Sequence, residues 1–232
     1  MYLSRVQLNP ARRAAQPLLV SPHALHAAVM AAFPDASPTP DGRVLWRMDL
    51  TNHVANVYIV SPQMPDLTAL AEQGGWPSLP ETQIVRPYAP LLARMENGHH
   101  YAFRLTANPT HSRGRDAAGR GKVFGHVTVA QQEDWLLSRQ ERAGFRVLSA
   151  MGSQPSVAPA DDGEAPDVWD LVVSDRRTVS FSRRETRVTL RIATFEGTLV
   201  VTDRDLFAYA LSHGIGRAKG YGCGLMTIAP VR

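Results

Sequence analysis

The chain has 232 residues, of which 44% are apolar and 20% charged, with a formal net charge of +4. That composition is ordinary for a globular protein of one large or two small domains, and no apolar run approaches the length of a membrane span. A single cysteine, Cys223, excludes a disulfide framework and a cysteine-based metal site. The opening stretch MYLSRVQLNPARRAAQ reads as a strand followed by arginines, not as a signal peptide, so a soluble, cytoplasmic protein is expected.

YLSRVQLN alternates as a strand does. SPHALHAAVMAAF predicts a helix, with Ser21 as N-cap, Pro22 at the first helical position and Pro34 ending it. RVLWRMDL and ANVYIVS read as strands on either side of Asn52 and His53. PDLTALAEQ reads as a short helix stopped by Gly74 and Gly75, and ETQIVRPY as a further strand. The order is β-α-β-β-α-β. The second half repeats it with longer decorations. HHYAFRLTAN is a strand, followed by a basic, glycine-rich loop through Lys122. AQQEDWLLSRQERAG is a helix with Gly144 at its end, and FRVLSA a strand. Residues 151–167 have loop composition. VWDLVVSDRRTVSFSRR reads as a basic hairpin and RVTLRIATFEGTLVV as a strand pair turning at Glu196 and Gly197. DRDLFAYALSHG is a helix capped by Asp203 and closed by Gly214, and GLMTIAPV supplies the last strand. The expected fold is α+β: two tandem ferredoxin-like βαββαβ domains, residues 1–96 and 97–232.

Of the 25 basic residues only Lys122 and Lys219 are lysines. Arginine favours bidentate contacts with phosphate and bases, although a GC-rich genome produces the same bias. Clustering says more. Arg104, His111, Arg113, Arg115, Arg120 and Lys122 share one segment with Asp116 as its only acid. Arg176, Arg177, Arg183, Arg184, Arg187 and Arg191 share another, against Asp175 and Glu185. Two such segments point to an acidic polymer as partner.

His23 and His26 stand three apart at the start of the first predicted helix, on one face. A helix N-terminus attracts phosphate and disfavours imidazolium, so an empty site holds neutral histidine and a bound phosphate reverses that bias. The pair suits proton transfer on a phosphodiester. Metal binding is the rival reading, but no carboxylate neighbours the pair before Asp35 and no H-E-x-x-H string occurs; G-x-S-x-G is absent too. Without a metal, RNA is cut by its own 2′-hydroxyl. One group removes that proton and another protonates the departing 5′ oxygen, leaving a 2′,3′-cyclic phosphate and a 5′-hydroxyl. Each such role is typically worth about 10² to 10⁴ in rate. DNA lacks the nucleophile.

GIGRAKGYGCGLMTIAP, near the end of the chain, carries Gly214, Gly216, Gly220, Gly222 and Gly224 together with Arg217 and Lys219. Lys219 stands where a dinucleotide fingerprint needs its third glycine, and no P-loop string occurs, so no nucleotide cofactor is expected. The stretch reads as the loop between the last helix and last strand. Its glycines would let the backbone approach RNA phosphates or the neighbouring domain, with Arg217 and Lys219 adding charge and Cys223 a small packed residue.

Taken in order, MYLSRVQLNP, SPHALHAAV, YAFRLTANPT, ATFEGTLVV and GIGRAKGYGCGLMTIAP closely resemble the CasE (Cse3) family of CRISPR repeat-processing endoribonucleases of type I-E Cascade, over nearly the whole chain. The resemblance implies two RNA-recognition-motif-like domains and metal-independent cleavage of precursor CRISPR RNA at the base of the repeat stem-loop. It also implies retention on the mature crRNA beside other Cascade subunits; no cofactor, DNA substrate or membrane is expected. The family's catalytic histidine matches His26. Some relatives carry a tyrosine where this chain has His23, which stands as partner in proton transfer or as a phosphate-positioning group. Relatives also carry a basic residue where this chain has Ala27, which leaves charge stabilisation to Arg12, Arg13 or Lys219. The hairpin around Arg176 to Arg184 matches the place where relatives insert a hairpin against the RNA stem, which is read through shape and phosphates. The alternatives are a non-catalytic subunit that only holds the hairpin, and a small-molecule enzyme on the same scaffold.

Overall fold

The computed structural model describes residues 1–33, 38–76, 78–114, 122–150, 168–183 and 186–231. The N-terminal half runs β1 (Tyr2–Leu8), α1 (Gln16–Val20), α2 (Pro22–Ala31), β2 (Leu45–Leu50), β3 (Ala55–Ser61), α3 (Thr68–Gly74), β4 (Gln83–Pro87) and α4 (Ala89–Ala93). β1 buries Ser4, Val6 and Leu8 on one face, as period-two alternation dictates. It pairs antiparallel with β3 and β4 at the centre of a sheet ordered β2-β3-β1-β4. α2 starts where its sequence directs: the Ser21 hydroxyl accepts from the Ala24 amide, and Pro22 fills a position that needs no donor. Leu25 and Val29, four apart on its inner face, bury against Val6, Leu8, Trp46 and Val57 of the sheet. Each such side chain contributes about 1.5–3 kcal/mol on burial.

The second half runs β5 (His100–Ala107), β6 (Thr110–Arg113), β7 (Lys122–Gly125), α5 (Val129–Gln140), β8 (Phe145–Val147), β9 (Leu171–Arg183), β10 (Thr186–Val201), α6 (Arg204–His213) and β11 (Met226–Pro230). Its sheet is ordered β11-β5-β10-β8, with β9 also paired to β10. Setting β9 aside as an added hairpin arm, both sheets place their fourth, first, third and second strands side by side. This is the expected pair of ferredoxin-like units. A capping box of Thr128 and Gln131 opens α5, and the Asp203 carboxylate accepts from two amides at the start of α6.

Three details differ from the sequence reading. Glu196 and Gly197 do not turn: β10 is one strand of 16 residues, with Glu196 opposite Arg104 and Gly197 opposite Phe103 of β5. Gly197 is there because the Asp170 carbonyl lies against it, leaving no space for a Cβ. The hairpin is therefore β9 with β10. The segment after β5, read as loop, contributes β6 and β7, which pair with Thr110 opposite Gly125 and Arg113 opposite Lys122. The five-residue helices α1 and α4 were not expected. Pro34, residues 151–167, Arg115, Arg120 and Arg184 lie outside the described residues.

β9 carries a bulge. Ser174 pairs with Thr194 and Arg177 with Ile192, so Asp175 and Arg176 together oppose Ala193, and Asp175 takes a φ of 48°. This re-aims Arg176 toward α5, where its Nε donates to Gln132 Oε1 at 2.9 Å and its Nη2 to the Val127 carbonyl.

Candidate active site

The site is assembled from both units. β2 turns Trp46 inward to 2% exposure, and its indole Nε1–H donates to Nδ1 of the half-buried His26 at 3.3 Å. The glycine loop of the C-terminal unit packs on the same imidazole. A Cβ on Gly220 would stand 3.4 Å from His26 Nε2, and Tyr221 meets the ring edge-on with centroids 6.5 Å apart. Gly222 holds a φ of +79°, and a Cβ there would press within 2.7 Å of the Trp46 ring. His26 is thus held between an indole of its own unit and a loop of the other. Because Nδ1 accepts, the neutral ring carries its hydrogen on Nε2, the nitrogen against Gly220.

His23, one turn earlier on α2, is exposed. Lys219 precedes Gly220 and is half-buried; burial, and after it the Arg43 guanidinium, hold its ammonium below the ordinary lysine value. A bound phosphate would supply the counter-charge. Beside His26's partner Trp46 opens a cleft of about 520 Å³ between the units, lined by Leu25, Trp46, Met48, Thr106, Val179 and Tyr221. Among the described residues no three of His, Cys, Asp or Glu come together as a metal site requires.

The other candidate residues divide by what they touch. Arg12 donates to the Gly75 carbonyl at 2.7 Å and braces the end of α3, while Arg13 is exposed on the same turn. Arg104 lies between Glu196 at 2.6 Å and Asp49 at 3.4 Å, and Arg177 pairs with Asp175. With Arg176 these cations hold the fold together. Arg113 and Lys122 are paired in register across β6 and β7, and Arg183 ends β9. Of the loop glycines, Gly214 lies against Leu45, Gly216 against Trp135 and Gly224 against the Ile215 carbonyl, while Arg217 is exposed. Leu45, Trp46 and His26 all belong to the N-terminal unit, so the glycines bring the loop onto the neighbouring domain.

A buried charge ties the same junction. Arg47 is 2% exposed and binds Asp49 through two bonds of 2.8 and 2.9 Å. It also donates to the Arg104 carbonyl of β5 at 2.6 Å. Sequence reasoning missed Trp46 and Tyr221. Alternation along RVLWRMDL marks Trp46 as inward-facing, but nothing local pairs it with a histidine twenty positions earlier.

The profile of a family described as CRISPR associated protein matches residues 1–230. The chain is 28% identical to the CRISPR-associated endoribonuclease Cse3 of Thermus thermophilus, covering 99% of this chain and 100% of that one. The structure of Thermus thermophilus Cse3 bound to an RNA representing a pre-cleavage complex superposes with a TM-score of 0.72 at 28% identity, covering 99% of this chain and 98% of that one. The crystal structure of Cas6e from Escherichia coli K-12 shares the fold, with a TM-score of 0.64 at 22% identity over 100% of both chains.

Proposed function

The chain belongs to the CRISPR-associated protein family, and from that membership we propose that it is an endoribonuclease that cuts precursor CRISPR RNA at the base of the repeat stem-loop. The observation that carries the reading is the seating of His26 between Trp46 and Gly220, at the junction of two RNA-recognition-like units. The 2′-hydroxyl oxygen attacks the adjacent phosphorus; the P–O2′ bond forms as the P–O5′ bond breaks, giving a 2′,3′-cyclic phosphate and a 5′-hydroxyl. The nucleophile comes from the substrate, so the protein supplies proton transfer and charge, without a metal.

Nε2 of His26 faces the loop and exchanges the proton with RNA. With the Trp46 N–H on Nδ1, Nε2 carries the hydrogen. Nε2 becomes a base once the hydrogen moves to Nδ1, and an acid once the ring is imidazolium. Both states turn the Trp46 N–H away, and the charge of the incoming phosphate favours the second. His23 takes the complementary role. Lys219, beside Gly220, offers its ammonium to the charge developing on the phosphorane oxygens. The exposed arginines of the β9–β10 hairpin meet the phosphates of the stem. The enzyme stays on the mature crRNA as a subunit of Cascade in the cytoplasm and does not cut DNA.

The test is single-turnover cleavage of the cognate repeat hairpin in EDTA. His26→Ala is expected to lose about 10² to 10⁴ in rate while hairpin affinity is kept. A variant that cuts at the wild-type rate, or a requirement for added Mg²⁺, overturns the mechanism. Tight binding with no cut product from the wild type would make the chain a hairpin-holding subunit instead.

A further inference from the structure

The glycine loop also forms part of a second cleft. Gly216 and Arg217 meet β6 and α5 around a space of about 710 Å³, whose walls include His111, His126, Trp135, Arg139 and Arg142. Three cations and two imidazoles share this space with one carboxylate, Asp134. The His111 and His126 rings stand 4.7 Å apart, and the Arg139 guanidinium lies 4.2 Å from the centre of the Trp135 ring. Burial first, then the charges of His111 and Arg139, hold His126 below the ordinary histidine value, with Asp134 opposing. Among the described residues, three buried nitrogens of these walls have no hydrogen-bond partner: His126 Nδ1, Trp135 Nε1 and Arg139 Nε. Such groups are costly to leave unpaired, and two of them, Trp135 Nε1–H and Arg139 Nε–H, are donors whichever tautomer His126 holds, so these walls favour an occupant that accepts hydrogen bonds. At its rim Phe124, 40% exposed, stacks on His111 with centroids 5.9 Å apart and planes 25° from parallel.

Arginines beside unmet donors select an oxyanion, and an exposed aromatic stack beside them selects a base. Together they are the ingredients of a single-strand RNA groove. We propose that this cleft binds the phosphates of a single-stranded RNA segment adjoining the repeat hairpin. The proposal rests on the endoribonuclease reading above and extends it, because one loop serves both places. Arg217 in the cleft and Gly220 on His26 are three residues apart, at most about 11 Å of chain. A strand leaving the scissile phosphate therefore meets Arg217 within a short run of nucleotides.

Fluorescence anisotropy on three RNAs tests this: the blunt repeat hairpin, and the same hairpin with an unpaired flank on its 5′ or its 3′ side. Wild type is expected to bind one flanked RNA about tenfold more tightly than the blunt hairpin, with a steeper salt dependence. Arg142→Ala and His111→Ala, both at exposed positions, are expected to remove most of that gain. Arg142→Ala should also lower the salt slope for the flanked RNA by about one. The ring nitrogen signals of His126 should shift with the flanked RNA and not with the blunt one. Equal affinity for blunt and flanked RNAs in the wild type, or a gain that survives in both variants, overturns the proposal. So does a His126 shift with inorganic phosphate alone and with no flanked RNA, which would make the cleft a site for free phosphate. A wild type that neither binds nor cuts the blunt hairpin overturns the endoribonuclease reading. Binding and cutting of the blunt hairpin with no gain from a flank overturns this inference alone.

Discussion

The sheets β2-β3-β1-β4 and β11-β5-β10-β8 arrange their strands alike, yet the strands of the first have at most seven residues, while β9 and β10 reach 13 and 16. The N-terminal unit keeps its strands short and presents α2 with His26. The C-terminal unit extends two strands and a glycine loop beyond its sheet. These extensions pack on each other: Leu190, Ile192 and Cys223 form a buried cluster joined by Phe181 and Tyr221, whose rings are 4.7 Å apart. The hairpin and the loop that seats His26 are thereby one packed body. The shared topology places these groups, and the loop by which the units differ builds the seat of His26.

The largest expected effect comes from cutting the junction. Arg47→Ala leaves the Asp49 carboxylate without its bidentate partner and removes the 2.6 Å bond to the Arg104 carbonyl across the junction, and is expected to cost roughly 3 kcal/mol in urea unfolding. The double variant Arg47→Met/Asp49→Leu should recover part of this. A cost under about 1 kcal/mol for the single change would show that apolar packing alone joins the units. Next comes the seat of the imidazole. Gly222→Ala forces a Cβ into the Trp46 ring at a positive φ and is expected to cost about 1–3 kcal/mol. It should also slow cleavage about tenfold with hairpin affinity unchanged. An unchanged single-turnover rate would mean that Trp46 does not position His26.

The smallest effect reports on the hairpin–loop body. Burial, against a weaker opposing pull from Arg177, pushes the Cys223 thiol up to about 12. In the fold it stays protonated while the unfolded chain ionises from about pH 9. Its contribution is present below pH 9 and is lost as pH rises toward 12, amounting to about 1 kcal/mol by pH 10. Burial of Tyr88 acts in the same sense, and the depressed Lys219 in the opposite one. Both are common to wild type and Cys223→Ala, so urea midpoints between pH 9 and 10 isolate the thiol. Parallel declines in the two proteins would show that it is not sealed.

Much of this was legible in the sequence. Alternation and caps gave the succession of strands in the N-terminal unit and the starts of α2 and α6, because those signals act within a few residues. Spacing and the family resemblance single out His26 as the candidate, and it sits between Trp46 and Gly220. What escaped depends on groups distant in sequence. Arg104 reads as a free cation in a basic segment, yet its carboxylate partner Glu196 is 92 positions away. Glu196-Gly197 has turn composition, and only the approach of the Asp170 carbonyl explains a glycine inside a continuous strand. Trp46 alternates inward like any core residue, and its bond to His26 is a product of packing.

Two antiparallel strands as long as β9 and β10 are free to slide, and a slide of one residue exchanges their faces. The kink at Asp175 forbids it. With two residues facing one, that rung of the ladder is unlike any other, and displacing it would set the kink against regular backbone. It works as a key in a keyway: the strands mate in one alignment, Phe181 always arrives at the same height beneath Tyr221, and the imidazole is gripped at a depth set some fifty residues away along the chain.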